Sequence, residues 1–190
     1  MKKIIFLMAV IIASGLFLNT LGQSKNYLRN KIIVEGLYIR NLGNFSSVWS
    51  TASGGYVGYS IAFPEHNLLI FRTGLISNKL RDGVDYEDAT NTIVPIEIGG
   101  RYYFINDTFM PFIQFMNGLN LFIQNTDLEG DKEDKTMVKY AWQIGFGVTV
   151  NLMSNFSIDV GANYQSNFYF YEAMNTGFEY TFGIGYALGE

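Results

Sequence analysis

Cysteine is absent from this chain of 190 residues, and histidine occurs once. Without cysteine there is no disulfide, thiolate nucleophile or cysteine-ligated metal centre. A single histidine also removes most of the acid–base chemistry that hydrolases use, and the position of His66 in a polar turn predicts a solvated side chain. The sequence therefore predicts a protein that is not an enzyme and that holds no metal or cofactor.

Charged residues are also scarce, at 16% of the chain against roughly 25% in an ordinary soluble domain. The 13 basic and 17 acidic residues form no basic stripe, so we expect no nucleic-acid partner. Aromatic residues are plentiful instead, with 13 Tyr and 16 Phe. This composition indicates that much of the apolar surface faces something other than water.

Long apolar runs are missing except at the N-terminus, where residues 4–18 follow two lysines. The run ends near the small residues Thr20 and Gly22, as in a cleaved secretory signal peptide. The alternative is a membrane anchor, but the run is shorter than the roughly 20 residues of a spanning helix. We therefore predict a signal peptide over residues 1–22 and one domain over residues 23–190.

From Lys31 onward, apolar residues alternate with small or polar residues, which is the period of a β-strand. Eight such segments can be read, and most have 10 to 13 residues, close to the roughly 9–11 residues of a tilted membrane-spanning strand. The register of the first segment is ambiguous because Ile32, Ile33 and Val34 are adjacent. The predicted strands are residues 31–40, 54–63, 68–78, 92–104, 109–124, 139–151, 155–165 and 176–188.

Short turns and long polar connections alternate between these strands, as in a transmembrane barrel with periplasmic turns and extracellular loops. The turns are built on residues 64–67, 106–108 and 153–155, and the predicted loops are residues 41–53, 79–91, 125–136 and 166–175. An open sheet edge would leave backbone groups unpaired in lipid, so the sheet must close. The sequence therefore predicts an all-β fold, an eight-stranded antiparallel up-and-down transmembrane β-barrel.

The main structural alternative is a soluble periplasmic barrel that turns its apolar face inward around a ligand. The polar faces of the strands, however, are mainly Gly, Ser, Asn, Gln and Thr, which suits a crowded lumen better than a solvated exterior. Aromatic residues also gather near both strand ends, like the two interfacial girdles of a membrane barrel. These residues are Tyr140, Trp142, Tyr164, Phe178 and Tyr180 on the loop side and Phe63, Phe104, Phe156 and Tyr186 on the turn side.

Over residues 31–190 the chain resembles the small eight-stranded outer-membrane barrels of the OmpA and OmpX type. The closing strand is similar to the β-signal that the barrel-assembly machinery reads, although the chain continues to Glu190 instead of finishing on an aromatic residue. The residues that carry this likeness are Thr181, Gly183, Tyr186 and Leu188. The resemblance implies a cell-envelope protein in the outer membrane of a diderm, Gram-negative bacterium, with outer-membrane lipid, surface glycolipid and the assembly machinery as partners.

Alternation places six charged side chains on the inner face of the predicted barrel, where the lumen is only wide enough for side chains to fill. Charges there need partners, so we predict a cluster of ion pairs that plugs the lumen. A gate or a polar path for ions is the alternative. The candidates are Glu35, Arg72, Glu97, Arg101, Asp159 and Glu179.

Three functions are compatible with these features. We expect a structural or envelope role, or adhesion-like binding of a host or surface ligand by the extracellular loops. The alternative is a narrow channel for small or hydrophobic solutes, as the porin-like OmpW barrels imply, and a soluble ligand-binding barrel comes third. Acidic residues in the second and third long loops lack the spacing of a calcium-binding EF-hand, so we expect solvated loops there.

Overall fold

Eight antiparallel strands in the computed structural model form a closed barrel, in which each strand pairs with the next and β8 pairs with β1. The predicted fold is confirmed. The structure describes residues 28–63, 66–83, 89–128, 131–169 and 172–188, so the predicted signal peptide lies outside the described residues. Within those ranges no helix is long and apolar enough to cross a membrane. The strands are β1 Lys31–Leu42, β2 Trp49–Phe63, β3 Asn67–Leu80, β4 Thr90–Tyr103, β5 Phe109–Leu128, β6 Asp131–Asn151, β7 Phe156–Tyr169 and β8 Glu172–Ala187.

Successive side chains of each strand point alternately into and out of the barrel, as the pleat requires. In β1 the buried side chains include Ile33 and Glu35, and the exposed ones include Val34, which resolves the ambiguous register of this strand. The outer face is apolar, since Leu75 and Ile96 are 63% and 64% exposed. A soluble barrel would have the opposite arrangement, with its apolar side chains inside.

The connections at one end are shorter than the predicted loops because the strands continue into them. The predicted loop over residues 125–136 is wrong, since β5 and β6 stay paired as far as Leu128 and Asp131. β7 and β8 likewise pair as far as Tyr169 and Glu172. Hydrophobic alternation stops where the outer face becomes polar, but the backbone ladder does not depend on it. Polar strand extensions therefore resemble loops in the sequence.

Two ends of the barrel can be distinguished by their connections. The turn end carries the connections at residues 64–66, 104–108 and 152–155, and β1 begins there. The hairpin end carries the connections at residues 43–48, 81–89, 129–130 and 170–171, including a short 3₁₀ helix, Gly43–Ser47. Each end of the lumen contains a buried apolar cluster. Leu28, Leu68, Ile70, Tyr103, Met110, Phe112 and Met116 form the cluster toward the turn end, and Leu37, Ile39, Ala52, Tyr56, Ile76, Ile93 and Phe122 form the one toward the hairpin end.

Candidate functional site

Arg72 lies at the centre of the lumen, on β3 between the two apolar clusters. Its guanidinium contacts carboxylates from three other strands: Nε is 2.7 Å from Oε2 of Glu97, Nη1 is 3.1 Å from Oε2 of Glu35, and Nη2 is 3.5 Å from Oε1 of Glu179. Nη2 also donates a hydrogen bond of 2.6 Å to Oε1 of Gln143. One cation therefore links strands β1, β3, β4, β6 and β8 across the lumen.

Neutral side chains complete the surroundings of Arg72. The Tyr56 hydroxyl donates to Oε2 of Glu179 at 2.8 Å, and Gln143 Nε2 donates to Oε1 of Glu97 at 3.0 Å. The Tyr56 ring also lies under the guanidinium, with 3.8 Å from Cζ to the ring centroid. Alternation places Tyr56 and Gln143 on the inner face, but it does not predict that they bind these carboxylates.

Arg101 forms a second group nearer the turn end. Its Nη1 is 3.3 Å from Oδ1 of Asp159, and its Nη2 is 3.8 Å from Oε1 of Glu35. Nε and Nη2 both donate to Oε1 of Gln114, at 3.1 and 3.0 Å. Thr149 in turn donates to Asp159. Because Glu35 contacts both arginines, the two groups form one continuous network.

All six sequence-predicted charged residues lie in this network, and each is at most 6% exposed. We call it the ion-pair plug; it comprises Glu35, Arg72, Glu97, Arg101, Asp159 and Glu179. A third inward cation, Lys31, donates to Asn151 and Ser157 at the turn end. Two interior cavities bounded by described residues each measure about 10 Å³, room for a single water. Every charge in the plug has a partner, which suits a seal better than an ion path.

The four candidate β-signal residues divide between the two faces of β8. Thr181 and Gly183 face the lumen, whereas Tyr186 and Leu188 face outward and are 43% and 42% exposed. The Tyr186 ring packs edge-on against Phe156 with 5.0 Å between centroids. The outward pair belongs to the aromatic and apolar exterior, whereas the inward pair borders the plug.

Outward aromatic side chains contact each other across neighbouring strands. Tyr164 of β7 lies between Trp142 and Phe178, with centroid distances of 5.9 and 5.7 Å. Near the turn end the contact is made along one segment, where Tyr102 packs edge-on against Phe104, two residues further on, at 5.6 Å. Such rows of amphipathic and aromatic rings at two levels are typical of the interfacial girdles of membrane barrels.

The side chain of His66 is less exposed to solvent than its position in a polar turn predicts. The residue adopts the left-handed backbone region with φ of 78°, it is half-buried, and its ring centroid lies 6.3 Å from that of Tyr102. Among the described residues, no group of three His, Asp or Glu side chains is placed to hold a metal ion. Part of the acidic second loop, residues 84–88, lies outside the described residues.

A closed barrel of eight strands, with an apolar exterior, aromatic girdles and a lumen filled by side chains, defines the class of small transmembrane β-barrels. No family model matches the chain, and no curated protein matches it in sequence. Solved structures do match it.

Three small barrels of similar length share the fold. The structure of neisserial surface protein A has a TM-score of 0.60 at 14% identity, covering 84% of this chain and 97% of that one. Ail, the attachment invasion locus protein of Yersinia pestis, has a TM-score of 0.59 at 16% identity, covering 85% and 99%. The outer membrane protein OprG of Pseudomonas aeruginosa has a TM-score of 0.53 at 12% identity, covering 89% and 100%. The chain therefore has the fold of the small eight-stranded outer-membrane barrels.

Proposed function

We propose that this protein is an integral, non-enzymatic outer-membrane barrel that anchors a ligand-binding surface at its hairpin end. The ion-pair plug is the observation that carries the proposal. It fills the lumen with charges that already have partners, so the barrel is a rigid anchor rather than an open pore. Neighbours that include a surface protein and an attachment protein support the same location and role.

The hairpin of β5 and β6 extends beyond the apolar exterior. Among the residues whose side chains the structure describes, the last exposed apolar ones of the two strands are Ile123 and Val138. The ladder continues for five more residues of β5, to Leu128, which is about 17 Å along the strand. With the short turns on the periplasmic side, as in other such barrels, this hairpin projects from the cell surface. A paired hairpin presents a more rigid binding surface than a loop.

Shortening this hairpin tests the proposal. Gln124 and Lys135 are paired, so an Asn-Gly turn can replace residues 125–134 without disturbing the barrel. We expect bacteria that display this variant to adhere to wells coated with basement-membrane matrix no better than cells without the protein. The measurement is the number of bound cells, with heat-dependent gel mobility as the check that the barrel is folded.

Changes at the opposite end supply the matched control. Met153→Ser, in the exposed β6–β7 turn, should leave adherence unchanged. Equal adherence of the shortened variant and the wild type would exclude the hairpin as the binding surface. Equal adherence of cells with and without the wild-type protein would exclude adhesion to this matrix and favour the envelope role.

A second candidate function, passage of hydrophobic solutes through the barrel wall, is favoured by one irregularity. The β3–β4 ladder is interrupted at Gly74 and Leu75, opposite Pro95 and Val94. Proline has no N–H to donate, and the Pro95 carbonyl accepts instead from the Thr73 hydroxyl at 2.7 Å. This point of the wall is less firmly paired than its surroundings.

Pro95→Val separates the two functions, because valine restores the missing donor. If solutes cross at this seam, uptake of a hydrophobic fluorescent dye into protein-containing liposomes should fall several-fold in the variant. Under the anchor proposal we expect uptake equal to that of protein-free liposomes in both proteins, and no ionic conductance in planar bilayers. Dye uptake that depends on Pro95 would contradict the anchor proposal.

A further inference from the structure

Two cations interrupt the apolar exterior of the barrel near the hairpin end. Arg40 of β1 and Lys79 of β3 are exposed, and Thr51 of β2 pairs with Arg40 on one side and with Lys79 on the other. Their Cα atoms are therefore two strand spacings apart, about 10 Å. Among the outward side chains of the eight strands that the structure describes, these two are the charged ones.

Hydroxyl side chains adjoin the two cations. Ser53, Ser77 and Thr92 form the next outward row toward the middle of the barrel, where Ser53 pairs with Ser77 and Ser77 with Thr92. All three are exposed or half-buried. We call the whole group the cationic patch; it comprises Arg40, Thr51, Ser53, Ser77, Lys79 and Thr92.

The charge of the patch is not balanced within the described part of the chain. Neither Arg40 nor Lys79 forms an ion pair or a side-chain hydrogen bond with another described residue. No carboxylate occupies an outward position on β1 to β4, four strands whose side chains are all described. Arg81 and Asp82, in the connection after β3, offset each other in net charge. Two neighbouring cations without a counter-charge attract an anion.

The aromatic girdle fixes the depth of the patch. Arg40 pairs across the closing seam with Phe178, and the Phe178 ring packs edge-on against Tyr164 with 5.7 Å between centroids. The rings of such a girdle lie at the level of the lipid headgroups. A long cationic side chain at this level extends its charge into the headgroup layer. The patch therefore faces lipid headgroups.

The opposite side of the barrel has different chemistry at the same end. There the outward side chains are rings, and Trp142 lies 5.9 Å from Tyr164 and Tyr140 lies 6.5 Å from Phe168 between centroids. Cations that only oriented the barrel in the membrane would be needed on every side. Their confinement to β1 and β3, together with the hydroxyl row, indicates a local ligand.

We propose that the cationic patch docks the phosphorylated sugar headgroup of a glycolipid in the outer leaflet. The Arg40 guanidinium has the planar fork that binds phosphate oxygens in pairs, and the Lys79 ammonium supplies the second positive charge. The hydroxyls of Ser53 and Ser77 donate to and accept from the sugar hydroxyls. This inference rests on the proposed function, because the hairpin end must face the cell surface.

The strands below the patch suit the acyl chains of the same lipid. Val57 of β2 and Leu75 of β3 are closer to the middle of these strands, face outward and are 50% and 63% exposed. A headgroup on the patch would leave its acyl chains along this apolar surface. The ligand is therefore a lipid in the membrane rather than a free anion from solution.

Binding of a purified glycolipid to the detergent-folded protein tests this proposal. The probes are lipid A with two phosphates, the same lipid after enzymatic removal of its phosphates, and inorganic phosphate. Native mass spectrometry measures the fraction of protein molecules that carry one lipid. We expect retention of the phosphorylated lipid, and about tenfold weaker binding by the double variant Arg40→Gln and Lys79→Gln.

A cation outside the patch supplies the matched control. Lys135→Gln removes one exposed positive charge near the hairpin end of β6, so it should retain the lipid as the wild type does. Each single variant, Arg40→Gln or Lys79→Gln, should bind several-fold more weakly than Lys135→Gln. Heat-dependent gel mobility confirms that every variant is folded.

Three outcomes would overturn the cationic patch as a glycolipid site. They are equal binding of the two lipids, equal binding by the double variant and the wild type, and displacement of the lipid by millimolar inorganic phosphate, which would indicate a site for free anions. Removal of residues 125–134 leaves the patch in place. Adherence without glycolipid binding would therefore remove this site alone, and glycolipid binding without adherence would remove the adhesive role alone.

Discussion

Replacement of Arg72 by methionine is expected to lower the free energy of unfolding by about 3–5 kcal/mol at neutral pH. The side chain is 3% exposed and contacts Glu35, Glu97 and Glu179, so its loss leaves three carboxylates facing each other in a closed lumen. Methionine preserves much of the side-chain volume of arginine. The expected loss of stability therefore comes from the missing charge rather than from a cavity. Urea unfolding of the detergent-folded barrel, followed by tryptophan fluorescence, measures the change.

Two companion variants show whether the ion-pair plug is responsible. Lys79→Met removes an exposed cation from the same strand and should change the unfolding free energy by less than about 0.5 kcal/mol. Glu97→Gln should destabilise the wild type but stabilise the Arg72→Met protein, because there it removes an unpaired charge. Unfolding of Arg72→Met at the same urea concentration as the wild type would mean that the plug contributes nothing to stability.

Alternation in the sequence was sufficient to predict the barrel and its inner face. Glu97 and Glu179 were assigned to the lumen by parity alone, because the pleat sends every second side chain to the same face. Their convergence on Arg72 could not be read in the same way. It depends on how far side chains from β4 and β8 reach across a lumen, which neither register nor spacing determines.

The strand extensions and the neutral partners were harder to predict, for different reasons. Residues 125–136 have polar sequence because the hairpin has left the apolar band, and polarity in a strand looks the same as polarity in a loop. Tyr56 and Gln143 lie on the inner face by parity, but only the structure shows that they bind the carboxylates around Arg72. An inward charged residue predicts an ion pair, whereas an inward amide or hydroxyl does not by itself predict a particular partner.

Gly183→Val is expected to be the second severe variant, lowering the unfolding free energy by about 3 kcal/mol or preventing refolding in detergent. Gly183 pairs with Glu35 across the β1–β8 seam that closes the barrel. A Cβ atom at this position would lie 2.7 Å from Cγ of Glu35 and 3.1 Å from the Val34 carbonyl oxygen. Glu35 cannot yield easily, because its carboxylate contacts both Arg72 and Arg101.

Gly36→Val is the matched control for this variant, because it tests the same seam from the other side. Gly36 faces outward, and a Cβ there would meet only the Phe182 carbonyl oxygen at 3.8 Å, so valine should be neutral or stabilising by up to about 1 kcal/mol. The fraction of refolded protein with heat-dependent gel mobility measures both variants. Refolding in detergent requires no assembly machinery. If Gly183→Val refolds like the wild type in detergent but fails to assemble in cells, this glycine acts in recognition by the machinery rather than in lumen packing.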